Sequence, residues 1–187
     1  MTSRRGGPLT MADLERLAVA HLARYASSSA TLRRILMRRV ARAAPEDEAA
    51  AAAGRALVEA LIARFSDARL LDDGGYAELQ AARLARGGAS HLKIRGWLIE
   101  KGLSCGEIDR ALAALEERGG ELELTAACAF LRRRRLGPYR PPRDRRSFRQ
   151  KDLAALTRAG FAPDLARRVL AAADIAALEA MARGEEP

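Results

Sequence analysis

Apolar residues return along this chain at the three- and four-residue spacing that gathers them on one face of an α-helix, and hardly anywhere in the alternation of a strand. Leu14, Leu17, Ala18, Leu22 and Tyr25 predict a first helix over about 11–26, preceded by a polar, Gly- and Pro-containing stretch, 1–10, expected to be disordered. Ser27, Ser28 and Ser29 then offer an N-cap. Leu32, Ile35, Leu36 and Val40 form the stripe of a second helix whose other face carries Arg33, Arg34, Arg38, Arg39 and Arg42. Pro45 ends it, and Glu46, Asp47 and Glu48 suit the positive end of a third, alanine-rich helix running through Leu57, Leu61, Ile62 and Phe65.

The stretch Leu70 to Tyr76 breaks the pattern, and Asp73 or a neighbour can cap a helix that runs to about Arg86, where Gly87 and Gly88 stop it. Leu92, Ile94, Trp97 and Leu98 mark a helix over about 90–101 that ends at Gly102. Ser104 and Glu107 have capping-box spacing and open a helix through Leu112 and Leu115. Gly119-Gly120 separate it from a helix near 122–135 whose last residues are Arg132, Arg133, Arg134 and Arg135. Leu136 to Pro142 is expected to be a loop, with helix resuming within 144–159, stopping at Gly160 and restarting after Pro163. Asp174 to Arg183 predicts a terminal helix or a frayed tail.

The pattern repeats. The segment His21 to Val40 lies over Arg83 to Gly102 without a gap, with Leu22/Leu84, Ala23/Ala85, Arg24/Arg86, Ser28/Ser90, Arg33/Arg95 and Leu36/Leu98 identical. The break between helices falls in the same place in both. A weaker third copy sets Leu156 to Phe161 over Leu98 to Leu103, and Leu170 over Leu112. A unit of three short helices cannot bury its apolar stripes alone, so neighbours must stack. The expected fold is therefore all-α: an elongated, curved array of three tandem three-helix, helix-turn-helix-like repeats over 11–67, 68–119 and 120–173. The third repeat would contain a basic, Pro-containing loop at 136–147, and 174–187 would form the tail.

Composition agrees with helix and adds charge. Aromatic residues make up only 4% of the chain, and 33 Lys and Arg against 24 Asp and Glu give a net charge of +9. Such a balance suggests a polyanionic or acidic partner. Four basic groups stand out: Arg33, Arg34, Arg38, Arg39 and Arg42; Lys93, Arg95 and Lys101 at comparable places in the second copy; Arg132 to Arg135; and Arg140, Arg143, Arg145, Arg146, Arg149 and Lys151. They are the candidate partner- or DNA-binding residues, needing only charge and reach to contact phosphate. Arg132 to Arg135 have a structural reading as well, since they oppose a helix dipole and their stems cover apolar surface.

Catalytic chemistry finds no foothold. There is no glycine-rich phosphate loop; the Gly-Gly pairs sit between helices. His21 and His91, the two histidines, occupy non-equivalent repeat positions, and Cys105 and Cys128 lack metal-ligand spacing, so neither a metal nor another cofactor is expected. Asp72-Asp73 suits a helix cap better than a cation site, and Trp97 suits packing better than base stacking. Cysteine usage fits a reducing cytoplasm, and no stretch has the length and apolarity of a membrane span.

Leu71-Asp72-Asp73, Tyr76-Ala77, Arg83, Arg86-Gly87-Gly88, Ile94, Leu98, Lys101-Gly102-Leu103, Ile108 and Ala111-Leu112 together resemble the central pattern of the RecX family, regulators of the RecA recombinase. Arg132 to Tyr139, Lys151-Asp152-Leu153 and Arg158-Ala159-Gly160-Phe161 extend the likeness, which covers about 15–172. Tyr25 to Ser29 departs from the more charged turn of many members, and the Pro138 to Pro142 insertion is longer than a minimal repeat. The resemblance implies a non-enzymatic protein that docks in the groove of the RecA filament on single-stranded DNA and suppresses its ATP hydrolysis, strand exchange and co-protease activity; a monomer is expected from the repeat array itself. The residues alone leave two other readings open: a sequence-independent DNA-binding protein, and a helical adaptor for an acidic protein surface.

Overall fold

The structure, a computed structural model, describes residues 9–117 and 122–184. Among them are ten α-helices and no strand: α1 (Met11–Leu22), α2 (Ser29–Ala43), α3 (Glu48–Asp67), α4 (Asp73–Arg86), α5 (His91–Glu100), α6 (Cys105–Glu117), α7 (Leu122–Arg134), α8 (Pro142–Arg158), α9 (Pro163–Leu170) and α10 (Ile175–Ala182). A single 3-10 turn, Gly137–Tyr139, precedes α8. The expected Gly119-Gly120 break lies outside the described residues, as do 1–8 of the expected N-terminal tail. Leu9 and Thr10, placed in that tail by sequence, are instead tied to α1. Thr10 caps the helix in a reciprocal capping box with Asp13, and Leu9 packs against the core.

The chain divides into two compact units. The first comprises the chain up to Tyr76 together with Lys101–Leu103. Here α1, α2 and α3 close around Leu14, Ala18, Leu32, Leu36, Val58, Leu61 and Phe65. Gly54 explains how α2 and α3 come so near each other: a Cβ there would stand 2.6 Å from Val40 Cγ1. Helix α1 ends at Leu22, short of the predicted 26, because a turn anchored on the His21 carbonyl leads the chain into the buried Ser27 and Ser28.

Ser28 is the N-cap of α2: its hydroxyl accepts from the Thr31 amide and donates to the Lys101 carbonyl at 2.7 Å. The next amide, Ser29, donates to the Asp73 carboxylate at 2.7 Å. Asp72, not Asp73, caps α4, accepting from the Gly75 amide. The predicted Leu-Asp-Asp turn therefore splits its two carboxylates between the N-termini of two helices.

The second unit holds Ala77–Glu100 and the chain from Ser104 onward. Small residues Ala77, Ala81 and Ala85 are buried on α4, Ile94 and Leu98 on α5, and Ile108, Ala111, Leu112 and Leu115 on α6. On α5 the sequence stripe is narrower than expected, since Leu92 is 66% exposed and Trp97 half-buried. The Ser104/Glu107 capping box forms as predicted. Helices α7 to α10 share a core of Leu124, Ala127, Leu131, Leu156, Phe161, Val169 and Leu178, in which the Phe130 and Phe161 rings meet edge-on at 5.6 Å.

A contact seen in the first unit recurs in the second. Ser90, the sequence counterpart of Ser28, donates its hydroxyl to the Ala159 carbonyl at 2.7 Å, one residue before Gly160, as Lys101 is one before Gly102. The following amide, His91, donates to the Glu123 carboxylate near the start of α7, as Ser29 does to Asp73 at the start of α4. Both glycines have positive φ, +78° and +89°.

The basic loop expected at 136–147 is mostly not a loop. Gly137–Tyr139 is a 3-10 turn, and Pro142 occupies the first turn of α8, where a missing amide hydrogen costs nothing. Arg143, Arg145 and Arg146 are consequently helical. The short connection is pinned by Asp152, 1% exposed, which accepts from the Gly137 amide at 2.9 Å and from Arg140 through two bonds of 2.8 Å.

Candidate partner-binding surface

The basic residues singled out by sequence fall into two classes once their partners are known. Several already hold the fold. Arg33 grips both oxygens of Glu59 on α3 at 2.9 and 3.0 Å. Arg95 pairs with Asp109 at 2.6 Å, and Arg133 donates to the Gly87 carbonyl at 2.7 Å. Arg140 forms the buried pair with Asp152, which raises the guanidinium's pKa further above its ordinary value, chiefly through the hydrogen bond. Arg145 spends its guanidinium on the carbonyls of Pro138, Arg140 and Ala173. Lys101 is half-buried and offers its carbonyl to Ser28.

Magnitudes decide what such engagement means. An exposed pair like Arg95–Asp109 is worth about 0–1 kcal/mol, so a partner can take the arginine at little expense. Breaking the buried Arg140–Asp152 pair by removing one member costs about 3–5 kcal/mol, which makes Arg140 a poor candidate for a new contact.

The second class is exposed and has no carboxylate within ion-pair reach among the described residues. On α2 it comprises Arg34, Arg38, Arg39 and Arg42. Arg38, Arg39 and Arg42 border a groove of about 350 Å³ in the first unit, with Leu17 of α1 and Ile35 and Leu36 of α2. In the second unit Lys93 of α5, Arg134 of α7 and Arg158 of α8 border a depression of about 360 Å³, together with Phe130, Leu136, Ala155 and Ala159. Arg134 also lies over the Phe130 ring at 5.9 Å.

Arg132 and Arg135 are exposed near the end of α7. Arg135 takes φ of +54° where the helix closes through the Leu136 amide on the Leu131 carbonyl. Arg146 and Arg149 border a third hollow of about 240 Å³ with Gly137, Pro138 and Leu170, while Arg143 sits 3.9 Å from Asp144 and Lys151 lies over Phe148 at 5.2 Å.

Sequence reasoning missed Arg158. Its counterpart in the second copy is Glu100, so the basic character at this place, present as Arg38 in the first copy, is interrupted between the two. Only the approach of α5, α7 and α8 places it with Lys93 and Arg134. The surfaces so assembled can hold anionic groups by charge and guanidinium hydrogen bonds. Among the described residues no group of three or more His, Cys, Asp or Glu could hold a metal ion, and no helix is long and apolar enough to cross a membrane.

No family profile matches the chain, and no solved structure does. Two curated relatives, however, carry the same description. Regulatory protein RecX of Myxococcus xanthus is 36% identical over 158 residues, covering 84% of this chain and 83% of that protein. Regulatory protein RecX of Agrobacterium fabrum is 33% identical over 103 residues, 55% of this chain and 53% of the relative. With the first alignment running through most of both chains, this all-helical, arginine-rich protein belongs to the RecX family of regulatory proteins.

Proposed function

We propose that this protein modulates the RecA recombinase in the cytoplasm, most directly by inhibiting it, by binding as a monomer in the groove of the filament that RecA forms on single-stranded DNA. The observation that carries the reading is the pairing of family membership with two sets of exposed, acid-free cations, Arg34/Arg38/Arg39/Arg42 and Lys93/Arg134/Arg158. Cations without an internal partner lose nothing but water and counterions on meeting a polyanion or an acidic protein surface.

The same reading includes three tandem three-helix repeats, over 11–67, 68–119 and 120–173. Its support is the recurring contact: serine hydroxyl to the carbonyl before a positive-φ glycine, and the next amide to a carboxylate at the start of a helix, once with Ser28, Ser29, Asp73 and Lys101 and once with Ser90, His91, Glu123 and Ala159. Stacked units would offer several weak contacts at once, and linked contacts gain avidity without any one being strong.

The test is ATP hydrolysis by the cognate RecA on single-stranded DNA, titrated with this protein, with binding to naked DNA recorded at the same salt. Inhibition at less than one protein per RecA supports a filament-bound modulator. No change at saturation refutes it. The naked-DNA record then separates a sequence-independent DNA binder from an adaptor for an acidic surface, which would bind neither.

A further inference from the structure

The α1–α2 groove differs from an ordinary basic patch in having an aliphatic floor. Leu17 stands 39% exposed beside Ile35 and Leu36, and the space they border, about 350 Å³, can receive a large side chain. Around it Arg38, Arg39 and Arg42 lie on the last turns of α2, with no acidic partner among the described residues. Two of the nearest acids in sequence are occupied otherwise: Asp47 caps α3 and Glu48 pairs with Arg55.

We propose that this groove seats an acidic peptide segment of a protein partner, with a leucine-like side chain in the space above Leu17 and Ile35 and its carboxylates on Arg38, Arg39 and Arg42. Charge complementarity selects an anion, and the floor selects among anions. A nucleic-acid strand has no aliphatic side chain to place there, and the groove has no aromatic ring on which a base could stack. A peptide supplies both parts at the spacing of neighbouring residues. The inference sharpens the reading above by naming what the groove recognises, and it rests on that reading only for which protein bears the segment.

The experiment uses the full chain and two fluorescein-labelled peptides of Asp and Glu, identical except that one carries leucines where the other carries alanines. Fluorescence anisotropy is followed at near-physiological salt, with an oligothymidylate as competitor. The leucine peptide is expected to bind about tenfold or more tightly than its alanine counterpart, the gain from burying one aliphatic side chain. Leu17→Asn should abolish that difference while leaving charge-driven binding in place. Arg38→Glu with Arg42→Glu should abolish binding of both peptides, each variant being checked for unchanged helicity and melting.

Equal binding of the two peptides, or no binding of either, overturns the proposal. So does displacement of the leucine peptide by oligothymidylate with loss of oligothymidylate binding in the arginine variants, which would make the groove a nucleic-acid contact. If the peptide results hold while the protein leaves RecA ATP hydrolysis untouched, the groove assignment stands and the recombinase reading falls.

Discussion

Replacing Gly102 with alanine should destabilise the protein by about 2–5 kcal/mol, and the sum has two separable parts. Gly102 has φ of +78°, a conformation in which an L side chain costs about 1–2 kcal/mol. Its added Cβ would also stand 2.4 Å from the Cβ of Ala30, well inside van der Waals contact. Ala30 cannot yield easily. It sits in the first turn of α2, where Ser28 is bonded to the Lys101 carbonyl and Ser29 to Asp73, so relieving the overlap stretches both bonds. Overpacking of this kind costs about 1–3 kcal/mol. Chemical and thermal denaturation followed by circular dichroism measure the loss, with a fall in Tm of about 2–4 °C expected per kcal/mol. Ala30→Gly in the same chain removes the overlap and leaves the dihedral cost, so the double variant should recover part of the loss, with a coupling of about 1–3 kcal/mol. Gly160→Ala should behave like Gly102→Ala, since φ is +89° and the new Cβ would meet Ser90 Oγ at 2.7 Å and Leu92 Cβ at 3.2 Å. Gly96→Ala is the control: nothing lies within 4 Å and the site is helical, so it should be neutral or stabilise by about 0.5–1 kcal/mol. A loss below about 1 kcal/mol for Gly102→Ala, or no rescue by Ala30→Gly, would refute the packing argument.

Two further outcomes are expected. Asp152→Ala leaves the Arg140 guanidinium and the Gly137 amide without their acceptor and should cost about 3–5 kcal/mol in denaturation, far more than Asp109→Ala, whose exposed pair with Arg95 is worth at most about 1 kcal/mol. Asp13 has its carboxyl pKa held below the usual carboxylate range, first by the side-chain hydrogen bond from Thr10 and then by its backbone amide. A depressed folded-state pKa stabilises above the unfolded value and loses that contribution as pH falls through the folded one. The stability difference between wild type and Asp13→Asn should therefore be present at neutral pH and vanish in strong acid.

Helices, caps and their order were legible in the sequence because each rests on neighbours within a turn: the 104–107 capping box, the Ser28 cap and the Gly102 stop are local chemistry. Elements misplaced by sequence were those decided by distant partners. The 136–147 stretch looked too rich in proline for helix, but Pro142 falls in the first turn of α8, and Asp152, a full helix turn and more away, fixes the connection before it. The candidate surface was legible as charge and not as availability. Arg33 and Arg38 look alike along α2, yet Arg33 meets Glu59 on α3 while Arg38 borders an open groove. Nothing in their spacing distinguishes them, because the discriminating carboxylate belongs to another helix.

The acids explain why the arginines are left over. Asp13, Asp47, Asp72, Glu107 and Asp174 sit at helix N-termini, where they satisfy amides that a helix leaves without partners and oppose its positive end. Asp73 and Glu123 reach across to cap helices other than their own. Glu15, Glu59, Asp109 and Asp152 are taken by ion pairs with Arg64, Arg33, Arg95 and Arg140. A chain built of many short helices needs many N-caps, so it draws its carboxylates to helix ends and between elements. The basic residues, favoured at helix C-termini and on exposed faces, have no comparable structural demand. The surplus of +9 is therefore not spread evenly: on the last turns of α2, and where α5, α7 and α8 meet, cations stand without acids among the described residues. Helix count and cap chemistry thus produce acid-poor surfaces as a by-product of folding, and a regulator that works by lying against an anionic or acidic partner can use them without any further group.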